Sequence, residues 1–317
     1  MKFLYPLAGR FGLLCLLLCG GFSLLAQPAT DPADCSFGYG MQFNQSNLQQ
    51  IDMATGASVD VGTITGFPRN ITSAALAGGA LGNGLLFFAD LNNSDSLYAL
   101  NIATAEVMGI DTLAELGGGA DFWIDFEYDP NTDRFFGLYS PDDCSALPSV
   151  VYEIILGSPI QYIEIGDAGS CGNNLVINGM GDAFVIDILS NEIAPFDLTT
   201  GTIGSGVGIT YSATGNPINL NQTQSIRLSC LMGTPDLKGF LFDNNQGTIF
   251  GALDPATGVF TEEPGSGPYP GASMALFSTN CGFDFGPGVD ECSNDTEAPV
   301  LVCQDVEVFL DENGEAS

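Results

Sequence analysis

One six-residue pattern returns along this chain and narrows what it can fold into. Ile51-Asp52-Met53-Ala54-Thr55-Gly56 comes back as Leu100-Asn101-Ile102-Ala103-Thr104-Ala105, as Phe196-Asp197-Leu198-Thr199-Thr200-Gly201 and as Leu253-Asp254-Pro255-Ala256-Thr257-Gly258. A decayed copy, Tyr152-Glu153-Ile154-Ile155-Leu156-Gly157, fills the gap, and the steps between acidic (or Asn) positions are 49, 52, 44 and 57 residues. Units of that period are single supersecondary modules that become stable by stacking on their neighbours. The motif itself has the chemistry of a hairpin turn: Asp accepts backbone N–H bonds, and Gly takes a position with φ > 0.

The residues around the motif define the unit. A strand such as Leu97-Tyr98-Ala99-Leu100 precedes it, and one such as Val59-Asp60-Val61-Gly62 follows. Upstream lies an aromatic strand: Phe87-Phe88-Ala89-Asp90, Phe135-Phe136-Gly137-Leu138, Phe184-Val185-Ile186-Asp187 or Phe240-Leu241-Phe242-Asp243. Earlier still come runs around Trp123-Ile124-Asp125-Phe126, Asn174-Leu175-Val176-Ile177 and Ile226-Arg227-Leu228-Ser229. Four short strands per unit, no long amphipathic helix, and 41 Gly with 17 Pro point to an all-β propeller. The first unit lacks a strand before Ser36-Phe37-Gly38-Tyr39-Gly40-Met41, while Ala272-Ser273-Met274-Ala275-Leu276-Phe277 is left over after the last. That late strand is expected to complete the first blade and remove the open edges. The count is then five four-stranded blades, with the irregular spacing leaving six open; a β-sandwich and an open solenoid are the competing architectures.

Charge and composition exclude several functions. The 317 residues carry 38 acidic and 6 basic side chains and no histidine. Nucleic acid is excluded as a partner, because phosphate binding needs a basic footprint. Without histidine there is no Ser-His-Asp or Cys-His apparatus and no common transition-metal ligand. Hydrophobic content of 45% still supports a real core.

The ends carry their own signals. Lys2 and Arg10 precede an apolar run from Phe11 to Leu18, and Ala26-Gln27 offers a cleavage point. Residues 1–26 therefore read as a secretory signal peptide, too short for a stable membrane span. The expected mature chain has no transmembrane segment and is secreted or held at the cell surface. Near the other end, Asp295, Pro299, Cys303, Asp311 and Gly314 punctuate two alternating strands and a turn. This resembles the opening of a hyalin-repeat module, an immunoglobulin-like β-sandwich, which needs about 100 residues. The resemblance implies a truncated β-sandwich module over residues 295–317, a linker over 289–294 and a propeller-like domain over 27–288, in a fragment of a longer multidomain protein. The repeats themselves resemble secreted propeller-like repeats of bacterial surface proteins, with Asp-x-x-Thr-Gly turns and strands ending as Val61-Gly62 and Val207-Gly208 do. Together with the Leu-Ala-Gln end of the leader, the architecture looks like that of exported Bacteroidetes proteins. This resemblance implies a fold and no activity.

Nine cysteines are present, of which Cys15 and Cys19 lie in the leader. Cys303 is expected to pair within its own module. An exported chain meets an oxidising compartment, so disulfides are expected among the other six. The favoured pairings are Cys144–Cys171 within one repeat and Cys35–Cys281 near the ring closure. With no histidine and no CxxC pair, a zinc site is not expected.

Asp90, Asp187 and Asp243 end the equivalent aromatic strand of three units. On one rim of a ring they would offer oxygen ligands to Ca²⁺; as turn-capping carboxylates they need no ligand, and the latter is the simpler reading. No other cofactor is expected. Paired carboxylates alone can hydrolyse glycosides, yet the arginine cluster of a sialidase and the repeated tryptophans of a quinone-cofactor propeller are missing. The favoured function is a non-catalytic binding, adhesion or display module, using loops such as Ser140 to Ser149 and Gly208 to Thr223 toward a protein or glycan partner at the cell surface. A carboxylate-based glycoside hydrolase and a Ca²⁺-stiffened spacer are the alternatives.

Overall fold

The computed structural model describes residues 37–279 apart from 43–46, 67–75, 82–84, 91–92, 113–121, 130, 141–143, 145–146, 158, 222–223, 230–235 and 264–273. The leader, the hyalin-like segment, Cys35, Cys281 and Cys303 lie outside the described residues. Among the described residues no helix is long and apolar enough to cross a membrane.

Among the described residues twenty-two strands, numbered in chain order, form five sheets. The first sheet contains β1 (Phe37–Gln42), β2 (Asn47–Asp52) and β3 (Ser58–Thr63). The second is β4 (Leu76–Leu81), β5 (Leu85–Asp90), β6 (Asn93–Asn101) and β7 (Glu106–Thr112). The third is β8 (Phe122–Asp129), β9 (Arg134–Ser140), β10 (Val150–Ile155) and β11 (Gln161–Asp167). The fourth is β12 (Gly172–Ile177), β13 (Ala183–Asp187), β14 (Glu192–Asp197) and β15 (Thr202–Ile203), with β16 (Val207–Gly208) also on β14. The fifth is β18 (Ser225–Ser229), β19 (Asp236–Asp243), β20 (Gly247–Leu253) and β21 (Val259–Glu262), flanked by β17 (Thr210–Tyr211). The last strand, β22 (Met274–Thr279), returns to the first sheet and pairs antiparallel with β1. The ring is thus a five-bladed propeller closed by the late strand, two residues further on than its sequence pattern places it.

The innermost strands β22, β4, β8, β12 and β18 each pack beside the innermost strands of both neighbouring sheets, which closes the circle around a common axis. Every gap between blades holds its own apolar cluster. Phe88 packs toward the first blade with Tyr39 and Met41, while Phe87 packs toward the third with Trp123 and Phe135. Phe136 likewise turns to the fourth blade and Phe135 to the second. Ile186 faces the fifth blade, Val185 the third. Successive side chains of a strand point to opposite faces, and both faces of a blade are covered, so the second strand must be apolar at consecutive positions. That is the physical reason for the doubled aromatics in the sequence. Tilted and stacked ring pairs such as Phe126–Phe135, 5.5 Å between centroids, add to the burial.

The repeated motif forms the hairpin between the third and fourth strands of four blades. Asp52 Oδ1 accepts from the Ala54 and Thr55 amides at 2.7 and 3.2 Å. Asp197 Oδ1 accepts from the Thr199 and Thr200 amides at 2.7 and 3.1 Å. Asn101 and Asp254 make the first of these bonds, to Ala103 and Ala256, at 2.9 Å each. In all four copies the amide four residues on, of Gly56, Ala105, Gly201 or Gly258, closes the turn onto the carbonyl of the Asp or Asn at 2.7 or 2.8 Å. That residue has φ between 55° and 73° in each copy. The decayed copy departs from this. Glu153 lies inside β10 and pairs with Arg134 of β9 at 2.6 Å, so it caps no turn.

The glycines serve a second purpose. A Cβ on Gly201 would sit 1.8 Å from the carbonyl oxygen of Ile165 in the preceding blade, and one on Gly258 2.3 Å from that of Gly208. A Cβ on Gly56, in the first blade, would meet Phe250 of the fifth at 2.7 Å. Each of these turns is therefore also the point where one blade touches the blade before it.

The segment 208–223, expected to be a presenting loop, is in good part core. Ile209, Tyr211, Ile218 and Leu220 are buried in the cluster between the fourth and fifth blades. β17 covers the edge of β21 in parallel. Four apolar side chains at such density gain more by burial than by exposure.

Candidate functional site

Two constellations stand out, one at the axis and one on the hairpins of the third and fourth blades.

At the axis, Asp125 of β8, Asn174 of β12 and Arg227 of β18 meet from three successive blades. Arg227 forks onto Asp125, with Nη1 2.9 Å from Oδ2 and Nη2 donating to Oδ1. Asp125 Oδ2 also accepts from the Asn174 side-chain amide and from the Leu175 amide at 2.9 Å, and Oδ1 from the Phe126 amide at 3.0 Å. Asn174 Oδ1 in turn accepts from the Ile226 amide at 2.9 Å. A shift in register between Trp123 and Asp125 sends Trp123 and Phe126 toward the second blade and Ile124 toward the fourth. Asp125 and Asn174 have no more than 4% of their surface exposed, and Arg227 has 3%. Burial alone would lower the pKa of the guanidinium. Asp125 and Glu127 outweigh it, and the pKa ends above the ordinary arginine value.

Glu127, two residues along β8, lies 3.4 Å from Arg227 Nη1. Burial pushes its carboxyl from 4.5 up to about 8; Arg227 pulls the other way, and Asp125 and Asp129 add to the rise. Burial outweighs the ion pair with Arg227 and favours the protonated carboxyl near neutral pH.

The second constellation is built on Asp187, at the end of β13. Its Oδ2 accepts from the Cys171 amide at 2.9 Å and from the Ser170 hydroxyl at 3.1 Å. Its Oδ1 accepts from the Leu189 and Ser190 amides at 2.9 and 3.0 Å. One carboxylate thus ties the β11–β12 connection to the β13–β14 hairpin. Cys171 is joined to Cys144 of the β9–β10 loop by a disulfide, Cα–Cα 5.0 Å. The pairing is the expected one, but it crosses from the third blade to the start of the fourth rather than closing within a repeat. The Ala168 amide to the Ser149 carbonyl (2.7 Å) and the Ser149 amide to the Gly169 carbonyl (3.0 Å) fasten the same loop. Leu147 and Leu189, beside these anchors, expose 53% and 61% of their surface.

Of the three rim aspartates, Asp243 is buried and its oxygens are also engaged. Oδ2 accepts from the Tyr211 hydroxyl at 2.6 Å, and Oδ1 from the Asn245 amide at 2.9 Å. Burial, then Asp243, pushes the Tyr211 phenol up. Asp90 closes β5 opposite Leu76; its side chain lies outside what is described. Asp187 and Asp243 each hold their own hairpin in different blades. Among the described residues no three carboxylates or thiols gather as a metal cluster. The axial network escaped the sequence reading, although Asp125, Asn174 and Arg227 each interrupt an apolar run destined for an innermost strand. A polar residue in such a run was the available signal.

No family model matches the chain, and no curated protein matches it in sequence. Solved structures are similar to it in arrangement. A calcium-binding protein, regucalcin, from Agrobacterium tumefaciens is 16% identical, with a TM-score of 0.45 over 74% of this chain and 73% of that one. A protein of unknown function from Bacteroides caccae is 10% identical, TM-score 0.40, over 71% and 70%. A luciferin-regenerating enzyme is 11% identical, TM-score 0.43, over 71% and 70%.

Proposed function

We propose that this chain is a non-catalytic binding or display module of an exported, cell-surface or secreted protein, and that it offers a rigid loop face to a protein or glycan partner. The observation that carries the reading is how the described carboxylates of both constellations are used. Asp125, Asp187 and Asp243 each accept hydrogen bonds on both oxygens from the chain itself, so these three carboxylates serve the fold rather than await a substrate. By contrast, the disulfide at Cys144 and the four bonds to Asp187 fix the ends of these connections, and Leu147 and Leu189 near them are more than half exposed. Preorganised loops bearing exposed apolar side chains lose little conformational freedom on binding.

The test pairs a glycan array and a turnover assay on chromogenic glycosides with the variants Leu147→Asp and Leu189→Asp. The expected result is saturable binding, weakened at least tenfold by either substitution with the melting temperature unchanged, and no turnover. Hydrolysis that disappears in Glu127→Gln would replace this reading with the glycosidase one.

A further inference from the structure

The axial network holds two carboxylates, Asp125 and Glu127, against one guanidinium, Arg227, and all three are nearly sealed from solvent. Arg227 gives two hydrogen bonds to Asp125, two to the Leu175 and Ile226 carbonyls, and pairs with Glu127 at the longer distance of 3.4 Å. A buried charge whose partner is shared with another carboxylate is poorly compensated, and such a group takes up a proton instead. Among the described residues, the elements packed against β8 bring Glu127 no second cation. On its own strand stand Asp125 and Asp129, the latter accepting from the Asn131 amide at 2.9 Å and the Thr132 hydroxyl at 2.6 Å. On β9 the cation is Arg134, held by Glu153 at 2.6 Å. On β5 and β6, which also pack against β8, the ionisable acids are Asp90 and Asp95, while β4, β12 and β22 carry no charged residue. On β18 the charged residue is Arg227 itself.

We propose that Glu127 is the proton switch of an axial lock: with a proton on Glu127 the innermost strands of the third, fourth and fifth blades are clamped through Arg227, and ionisation of Glu127 loosens them. Loss of the proton places a second anion beside a guanidinium that already serves Asp125. Arg227 must then divide its donors between two strand positions, and the fork that joins β8 to β18 past β12 weakens.

The sign follows from linkage. The carboxyl is raised from 4.5 to about 8 in the folded chain. Its contribution to stability is therefore complete below about pH 4.5, falls as pH rises, and is gone above about pH 8. The absence of histidine makes the window clean. Ordinary carboxylates have finished titrating by about pH 6, and up to about pH 8.5 only thiols and the amino terminus remain, with tyrosine and lysine following above about pH 9.

The experiment is denaturant unfolding of the full chain with disulfides intact, from about pH 5 to about pH 9, beside Glu127→Gln. In the wild type the unfolding constant should rise about tenfold per pH unit up to about pH 8 and then level off, and in Glu127→Gln this rise should vanish. Equal slopes in the two proteins would overturn the proposal. An infrared measurement stands independently of the variant's ability to fold. The wild type at about pH 7 should show the carbonyl band of a protonated carboxylic acid, lost by about pH 10. No such band at neutral pH would also overturn it. In Asp125→Asn the guanidinium turns to Glu127, and the band should vanish at a lower pH; a band that stays in place would show that Arg227 does not govern the proton.

Discussion

Gly201 illustrates how two constraints can fall on one residue. Its φ of 69° is unfavourable for any side chain, and a Cβ there would enter the Ile165 carbonyl of the neighbouring blade. Gly215 has a similar φ, 68°, with nothing within 4 Å of a Cβ. Gly215→Ala should therefore cost about 1 kcal/mol, the backbone term alone. Gly201→Ala should cost about 3 kcal/mol, because the blade contact must also open. Denaturant midpoints of the two variants separate these terms, and equal losses would mean that the contact contributes nothing. Ala105 adds a variation on the same position. It holds a φ of 55° with a methyl group, which a Cβ added at Gly62 would meet at 3.6 Å, and its carbonyl accepts from the Thr65 amide at 2.9 Å. The turn chemistry of all four copies was legible in the sequence, since Asp or Asn, Thr and Gly act through bonds spanning only a few residues. The blade contact was not, because the atoms it meets lie in another unit.

At the scale of elements, strand order followed from the repeat, but the use of each strand's ends did not. Asp187 and Ser140 close the second strands of adjacent blades, and around them the β9–β10 loop is bound to the start of β12. The Cys144–Cys171 bridge spans 27 residues. Loop-closure entropy for that span predicts a loss of about 3.5 kcal/mol when both cysteines become serine. Urea unfolding measures this, and the loss should come with faster amide exchange in residues 168–171. A loss under about 1 kcal/mol would mean that Asp187 and the Ser149–Gly169 bonds hold the loop unaided. The segment 208–223 teaches the converse lesson. Its polar, Gly-rich stretches read as a loop, yet Ile209, Tyr211, Ile218 and Leu220 are spaced to reach one apolar gap. Its pairing with β21 is parallel and non-local, which local periodicity does not encode.

On the scale of the whole molecule, stability depends on closure. Each inter-blade cluster is buried by two sheets, and the gap between the fifth and first blades is sealed only if β22 returns to β1. Truncation before residue 272 should leave the first sheet without its innermost strand and expose the edge of β1. The expected outcome is loss of a single cooperative melting transition, with concentration-dependent association visible by light scattering. A truncated chain that melts in one transition at the wild-type temperature would show that closure is dispensable.

The sequence by itself determined the class, the repeated unit, the turn chemistry and the late closing strand. All of these rest on period, on bonds between residues near in the chain, or on the matching of a missing strand with a spare one. Tertiary structure alone decided which residues meet at the axis. Asp125, Asn174 and Arg227 are separated by 49 and 53 positions, and nothing local marks them as partners. They become a network because five innermost strands converge on one line, where a charge that would be solvated on a surface must find its counter-charge across the ring or take up a proton.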